Sequence, residues 1–413
     1  MIGGLVVGST SDLSSTYYNP GAVALSSDQT LMLSTSAFEL IEIGIRTENR
    51  QELDLNSFQT RPTPGIFAFR FWYDSLQINH LSLSVLTRRD SDHHFQGLNS
   101  DFDTSGITQE FSREYLTFNR LTETWFGLSF SHRMTERLGI GITQYLAVRS
   151  QRERVQNIFQ LIENAAQGFS KISVADWKYL HFRLLWKAGL IYEAEKYSCG
   201  MSITTPGLNI YGTGSGYYNA SIVGSNTEPE LISISGEDME VSYRSPFSIA
   251  VGAAFNLGNA KIYMSAEYFA RIDPFNLMEL RSADVGLRYE QIDLSHQMKP
   301  VFNLGCGLAY RFHDLFSLYG SVITNRSGVS PETPSDLAYT VYDIYHFSLG
   351  SSFSFFGMML TVGIAYGTGP EAVLNVYDSL FTERYAFQDP DKYLVNYKSI
   401  KLLFGFSTFL MDD

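Results

Sequence analysis

Long apolar runs are missing from this 413-residue chain, and no stretch approaches the roughly 18 consecutive apolar residues of a membrane-spanning helix. Spanning helices are thereby excluded, whereas spanning strands are not. Tilted strands of about 10 residues alternate their two faces and look average on a hydropathy scale, so the mean hydropathy of -0.07 decides nothing. Basic charge is also scarce: 30 Lys and Arg stand against 43 Asp and Glu, a net charge of -13, which leaves no basic face for a phosphate backbone and excludes nucleic acid as a partner. Cysteine is limited to Cys199 and Cys306, on the apolar faces of separate strands, where isolated packing is expected rather than a bridge. No Pro/Ser linker or shift of composition divides the chain, so one domain is expected. A basic, apolar and cleavable leader is not visible at Met1-Ile2-Gly3-Gly4; for a secreted barrel, the leader would have been removed or not included.

What the chain does have is aromatic residues, 14% of the total, arranged in period-two runs. Phe126, Leu128 and Phe130 alternate with Gly127, Ser129 and Ser131, and a polar turn at His132–Arg137 leads into Leu138, Ile140 and Ile142 opposed by Gly139, Gly141 and Thr143. This is hairpin patterning. The unit recurs at Ile249–Leu257 with a return through Ile262–Tyr268, at Phe302–Leu308, and at Phe347–Phe355 with a return through Leu360–Ile364. In the first strand, Glu39 falls on the parity of Leu31 and Leu33, which predicts a bulge near residue 36.

Tight turns alternate with long polar connections at about 47–60, 89–107, 152–177, 211–237, 273–299, 327–342 and 369–394. Short turns at one end and long loops at the other are the asymmetry of an outer-membrane barrel. The expected fold class is therefore all-β: a transmembrane antiparallel barrel of about 14 strands, spanning 29–413, with an N-terminal hatch segment at 1–28. The last strand, 397–410, ends on Phe409-Leu410, similar to the terminal aromatic strand of bacterial outer-membrane proteins.

Within the prefix, Thr16-Tyr17-Tyr18-Asn19-Pro20-Gly21-Ala22-Val23-Ala24-Leu25 resembles the Tyr-Asn-Pro-Ala-Gly/Ala-x-Ala-Leu stretch of the FadL outer-membrane transporters. The resemblance implies a plugged fourteen-stranded barrel that takes up fatty acids or aromatic hydrocarbons by passive diffusion. It also implies no catalysis and no cofactor. The hatch residues carry over to Asn19, Pro20 and Gly21, the last standing where the family has alanine. Pro20 fixes its own φ and turns Asn19 away from helix, and the Asn19 side chain is free to bond nearby backbone. The family also carries a helical loop between its fifth and sixth strands. Here Val155, Ile158, Phe159, Ile162 and Phe169 recur at helical spacing, either as one side of a ligand groove or as packing on neighbouring loops. The family's sideways exit uses a kink in the third strand, yet Ile78–Thr87 contains neither Gly nor Pro.

If apolar faces meet lipid, then Arg70, His80, His181, Arg183, Lys187, Lys261, Glu267, His346 and Lys401 face the lumen. A carboxylate-bearing ligand needs one cation at the end of an apolar pocket, which nominates Arg70, Arg183 and Lys187; a charge network with acids such as Glu267 and Glu42 is the other reading. Asp90, Asp92, His93 and His94 have no metal-ligand spacing, and Gly212-x-Gly214-x-Gly216 reads as a flexible loop. The expected protein is a monomer in the bacterial outer membrane, in contact with lipid and a hydrophobic small molecule. Two other functions fit the same pattern: a non-transport subunit of a secretion or surface-attachment complex with a protein partner, and an outer-membrane lipid hydrolase. For the latter His181 and His346 are available, but no motif nominates a serine.

Overall fold

The computed structural model describes residues 6–9, 12–26, 29–47, 55–74, 76, 78–102, 110–164, 167–225, 227–281, 291–329, 342–370, 372–375 and 392–409. Two short helical turns, α1 (Ser15–Tyr18) and α2 (Pro20–Val23), precede the strands. The strands are β1 (Gln29–Thr47), β2 (Leu55–Tyr73), β3 (Asn79–Phe102), β4 (Glu110–Thr135), β5 (Leu138–Asn164), β6 (Gln167–Glu193), β7 (Tyr197–Thr204), β8 (Leu208–Gly224), β9 (Thr227–Glu240) and β10 (Ser248–Leu257). They continue as β11 (Ala260–Phe269), β12 (Ile272–Arg281), β13 (Gln291–Met298), β14 (Val301–His313), β15 (Phe316–Asn325), β16 (Ile344–Phe355), β17 (Met358–Thr368), β18 (Ala372–Asn375) and β19 (Lys392–Phe409).

Several of these segments share one position in the wall. Strand β6 pairs with β7 below and β8 above, and β9 and β10 likewise succeed one another, so the sheet closes as fourteen antiparallel strands sealed by the β1–β19 ladder. Closure leaves no edge, as lipid requires. Leu128, Phe130, Leu304, Phe347 and Leu402 are exposed on the outside, whereas Ser129, Ser131, Ser321 and Ser399 are buried inside, which is the predicted alternation. Cys199 and Cys306 are free and exposed. The register shift expected near residue 36 lies between Ser36 and Phe38, and it turns Glu39 inward to pair with Lys401 at 2.6 Å.

Three expectations are corrected. The connection at 152–177 is not helical: β5 and β6 run through it, pairing Val155 with Ala175, Ile158 with Ile172 and Ile162 with Gly168. Helical spacing in a short window lost to ladder partners available on both sides, since β5 also pairs with β4 as far as Glu110↔Ile162. The polar segments 89–107 and 211–237 are likewise strand over most of their length, because ladder bonds to both neighbours need no apolar face. Gly212, Gly214 and Gly216 therefore sit in β8 rather than in a loop.

Candidate functional site: hatch and chamber

The hatch is seated on a wall stripped of side chains. Asn19 caps α2 by accepting from the Gly21 amide at 3.2 Å, and its Nδ2 donates to the Val7 carbonyl at 2.6 Å and to the Leu190 carbonyl of β6 at 3.0 Å. Pro20 takes the first helical position, where no amide donor is needed. Opposite lie Gly139 and Gly141 of β5, Gly189 of β6, Gly200 of β7 and Gly252 of β10, and a Cβ on any of them would collide with hatch atoms. The fit is reciprocal: a Cβ on Gly21 would stand 2.7 Å from the Gly189 carbonyl oxygen and 2.8 Å from that of Gly139, so the family's alanine does not fit here.

Polar side chains of the wall satisfy the hatch carbonyls. Thr143 and Tyr145 donate to Thr16 at 2.9 and 2.7 Å, Ser131 donates to Pro20 at 2.9 Å, and Ser198 donates to Gly8 at 2.6 Å. Arg70 belongs to this set: its Nη2 donates to the Ser26 carbonyl at 3.1 Å and to Ser26 Oγ at 2.9 Å, which holds the end of the hatch.

Above the hatch, β4, β5 and β6 present a buried charged cluster. Glu123 accepts from Arg183 at 2.6 Å, from Arg149 at 2.9 Å and from the Trp125 indole at 2.7 Å. Arg149 also donates to the Tyr179 hydroxyl at 2.7 Å. Arg88 and Arg89 lie within electrostatic range of the same carboxylate. Lys187 holds its ammonium 4.8 Å from the Tyr17 ring centre, joining hatch to chamber. Cations thus outnumber carboxylates, and Arg183, 1% exposed, keeps Nε and Nη1 without hydrogen-bond partners among the described residues. A buried guanidinium left in this state favours an added anion.

The roof of the chamber is apolar. The Tyr243 ring covers Arg149 at 4.2 Å and Arg183 at 5.0 Å, and it stacks on His296 at 5.8 Å. Around it pack Trp177, Tyr218, Ile234, Phe275, Met278 and Leu294, carried by β6, β8, β9 and the separate β12–β13 hairpin. Burial, and then the charges of Arg149 and Arg89, push His296 down to about 3, so that the roof is neutral.

Among the described residues the β12–β13 hairpin forms a sheet of its own, and the wall lacks ladder bonds at two further places. Strands β2 and β3 pair only as far as Ile66↔Leu86, and β3 bulges between Thr87 and Arg89, so the third strand is irregular without Gly or Pro. The second place is a window: below it Thr204 pairs with Ser248, above it Thr213 pairs with Glu240, and between them Ser242–Pro246 breaks the ladder and turns Tyr243 into the lumen. Across the window Asn209 donates to Ser242 Oγ at 2.8 Å and the Gly207 amide donates to Ser245 Oγ at 2.9 Å.

Of the residues nominated from sequence, Arg183 and Lys187 face the chamber and Arg70 faces the hatch. The four apolar candidates do not share one face. The rings of Phe159 and Phe169 meet at 6.1 Å on one side of the extended hairpin, whereas Ile158 and Ile162 occupy the opposite parity. Sequence reasoning missed Glu123, Arg149 and Tyr243. Glu123 shares the parity of Trp125 and Gly127, and Arg149 that of Tyr145 and Ala147, so extending the lumenal face by one or two residues finds both. Tyr243 lies outside any strand and carries no such signal.

No protein-family model and no curated protein sequence matches this chain. Solved structures do. The CymD monoaromatic hydrocarbon channel aligns over 100% of this chain and 96% of its own, at 12% identity and a TM-score of 0.60. The toluene transporter TodX of Pseudomonas putida aligns over 97% and 95%, at 11% identity and a TM-score of 0.62. A FadL homologue of Pseudomonas aeruginosa aligns over 98% and 95%, at 12% identity and a TM-score of 0.60. With a hatch seated in a closed barrel of fourteen strands, the chain has the fold of the FadL-type transporters.

Proposed function

We propose that this protein sits in the bacterial outer membrane and admits hydrophobic small molecules by passive diffusion, with no chemistry performed on them. The observation that carries this reading is the chamber: an aromatic and aliphatic roof facing a buried excess of positive charge, directly above a hatch that closes the lumen. Such a pairing of surfaces suits an apolar body that ends in a carboxylate, with Arg183 and Lys187 as the cations that meet the head group. Arg70 acts indirectly, by fixing the hatch below. Phe159 and Phe169, on the extended β5–β6 hairpin, form an outer apolar contact for the incoming molecule, and Ile158 and Ile162 form the back of that hairpin. Release is sideways, through the window beside Gly207, whose α-carbon lies against the Arg183 side chain.

Ligand binding is readable from the intrinsic fluorescence of Trp125 and Trp177, which border the chamber. Purified protein titrated with an arylalkyl carboxylate and with the corresponding alcohol should prefer the acid by about tenfold, the worth of one charge-assisted hydrogen bond. Arg183→Met should abolish that preference while leaving binding of the alcohol intact. Equal affinity for acid and alcohol in the unaltered protein would overturn the assignment of ligand class.

A further inference from the structure

Outside the chamber, one part of the outer wall repeats a pattern on neighbouring segments. Arg244 stands three residues from exposed Phe247, Arg271 three from exposed Tyr268, and Lys299 three from exposed Phe302. Each cation is exposed on the parity opposite a buried neighbour, respectively Tyr243, Ile272 and Met298, the last partly buried against the same core. The aromatic residues mark where the barrel leaves the hydrocarbon. Three residues of extended chain carry the cations about 10 Å further along the strand, to the depth of lipid head groups.

The segments are adjacent. Ile272 pairs with Met298, which places Arg271 beside Lys299 on neighbouring strands; the Lys299 amide donates to the Gly328 carbonyl at 2.8 Å, bringing exposed Arg326 alongside; and the Ala270 amide donates to Phe247 at 2.9 Å, beyond which Arg244 turns its guanidinium to the Phe275 ring at 5.1 Å. Like charges side by side on a sheet repel, so this arrangement needs an anion between them. Two acids lie near these cations among the described residues. Asp273 pairs with Arg271 at 3.0 Å, with both side chains mostly exposed, and Asp343 is engaged by the Ser327 amide. An exposed pair of that kind contributes little.

We infer that Arg271, Lys299 and Arg326 form a surface site for the phosphate groups of a glycolipid in the outer leaflet. The inference rests on the membrane-spanning reading of the barrel. It is independent of what the chamber binds. The lipid's acyl chains lie along Tyr268 and Phe302, and its phosphates bridge Arg271, Lys299 and Arg326.

Native mass spectrometry of the full chain in neutral detergent tests this, with bisphosphorylated lipid A and its dephosphorylated form as the two probes. The expected result is retention of the phosphorylated lipid at least tenfold better than the dephosphorylated one, and loss of that difference in the Arg271→Gln/Lys299→Gln/Arg326→Gln variant. Migration of the unheated variant as a compact barrel on gels, together with unchanged fluorescence titration of the chamber, shows that the fold and the lumenal site are intact. Equal retention of both lipids, undiminished retention by the variant, or complete displacement by millimolar inorganic phosphate would each overturn the lipid assignment.

Discussion

Gly21 of the hatch and Gly189 of β6 meet backbone to backbone, so that a Cβ added to the first would stand 2.7 Å from the carbonyl oxygen of the second. Contact this close between two main chains leaves no room for a methyl group. The hatch is therefore positioned by what the wall lacks as much as by the hydrogen bonds from Asn19, Thr143 and Tyr145. Gly189→Val is expected to unseat the hatch at an overpacking cost of about 1–3 kcal/mol, leaving the barrel ladders intact. Planar-bilayer recordings should then show conductance well above that of the unaltered protein, and an unchanged trace would mean that the hatch does not close the lumen.

Glu123 is the only carboxylate bonded to either Arg149 or Arg183 among the described residues, and all three are buried. Removing one partner from such a group is more costly than never having built it. Glu123→Gln should lower stability by about 3–5 kcal/mol, read as a fall in the guanidinium midpoint of the detergent-solubilised protein. The same change removes the carboxylate that competes with a ligand for the two guanidinium groups. Carboxylate affinity by tryptophan fluorescence should accordingly rise, so stability and binding move in opposite directions.

Much of this architecture is written in parity. Period two in Phe126–Ser131 and Leu138–Thr143, the turns between them, and the misplaced parity of Glu39 were sufficient for strand count, hairpin order and the bulge between Ser36 and Phe38. The Asn19-Pro20 turn was legible for the same reason, since both residues act on their own backbone. Legibility fails where the deciding partner is distant in sequence. The segment 155–169 looked helical because its apolar residues happen to recur at three and four, and nothing local announces that β4 and β6 flank it with complete ladders. Tyr243 reaches the two arginines only because the chain between Val241 and Phe247 turns inward, a departure set by the meeting of β9, β10 and β12.

At the short-turn end, Asp74 accepts from the amides of Ile78 at 2.6 Å and Asn79 at 3.2 Å and from the Asn79 side chain at 2.8 Å. Desolvation is the largest single influence and raises its pKa, but the three bonds together outweigh it and hold the carboxyl below the ordinary range. A depressed folded value means that the turn's contribution is present above the unfolded pKa and is lost as pH falls through the folded one. Amide exchange at Ile78 and Asn79 should therefore be slow at neutral pH, after correction for intrinsic rates, and should lose its protection below the usual carboxylate range. Asp74→Asn, which cannot ionise, should remove the pH dependence; a dependence that survives this change would place its origin elsewhere.

Sideways release makes a mechanical demand on the window between β8 and the inset segment. Asn209 Nδ2 and Ser242 Oγ approach to 2.8 Å across it, so the two side chains touch there and cysteines at these positions are the pair to cross-link. Native Cys199 and Cys306 are free and exposed, so both are first replaced by serine. In that background, Asn209→Cys with Ser242→Cys should leave ligand binding in the chamber unchanged whether oxidised or reduced. Uptake into proteoliposomes should fall at least tenfold on oxidation and recover with dithiothreitol, because the bridge fixes the inset segment against β8. Uptake indifferent to the bridge would assign release to the other break in the wall, where β2 and β3 part above Ile66 and Leu86.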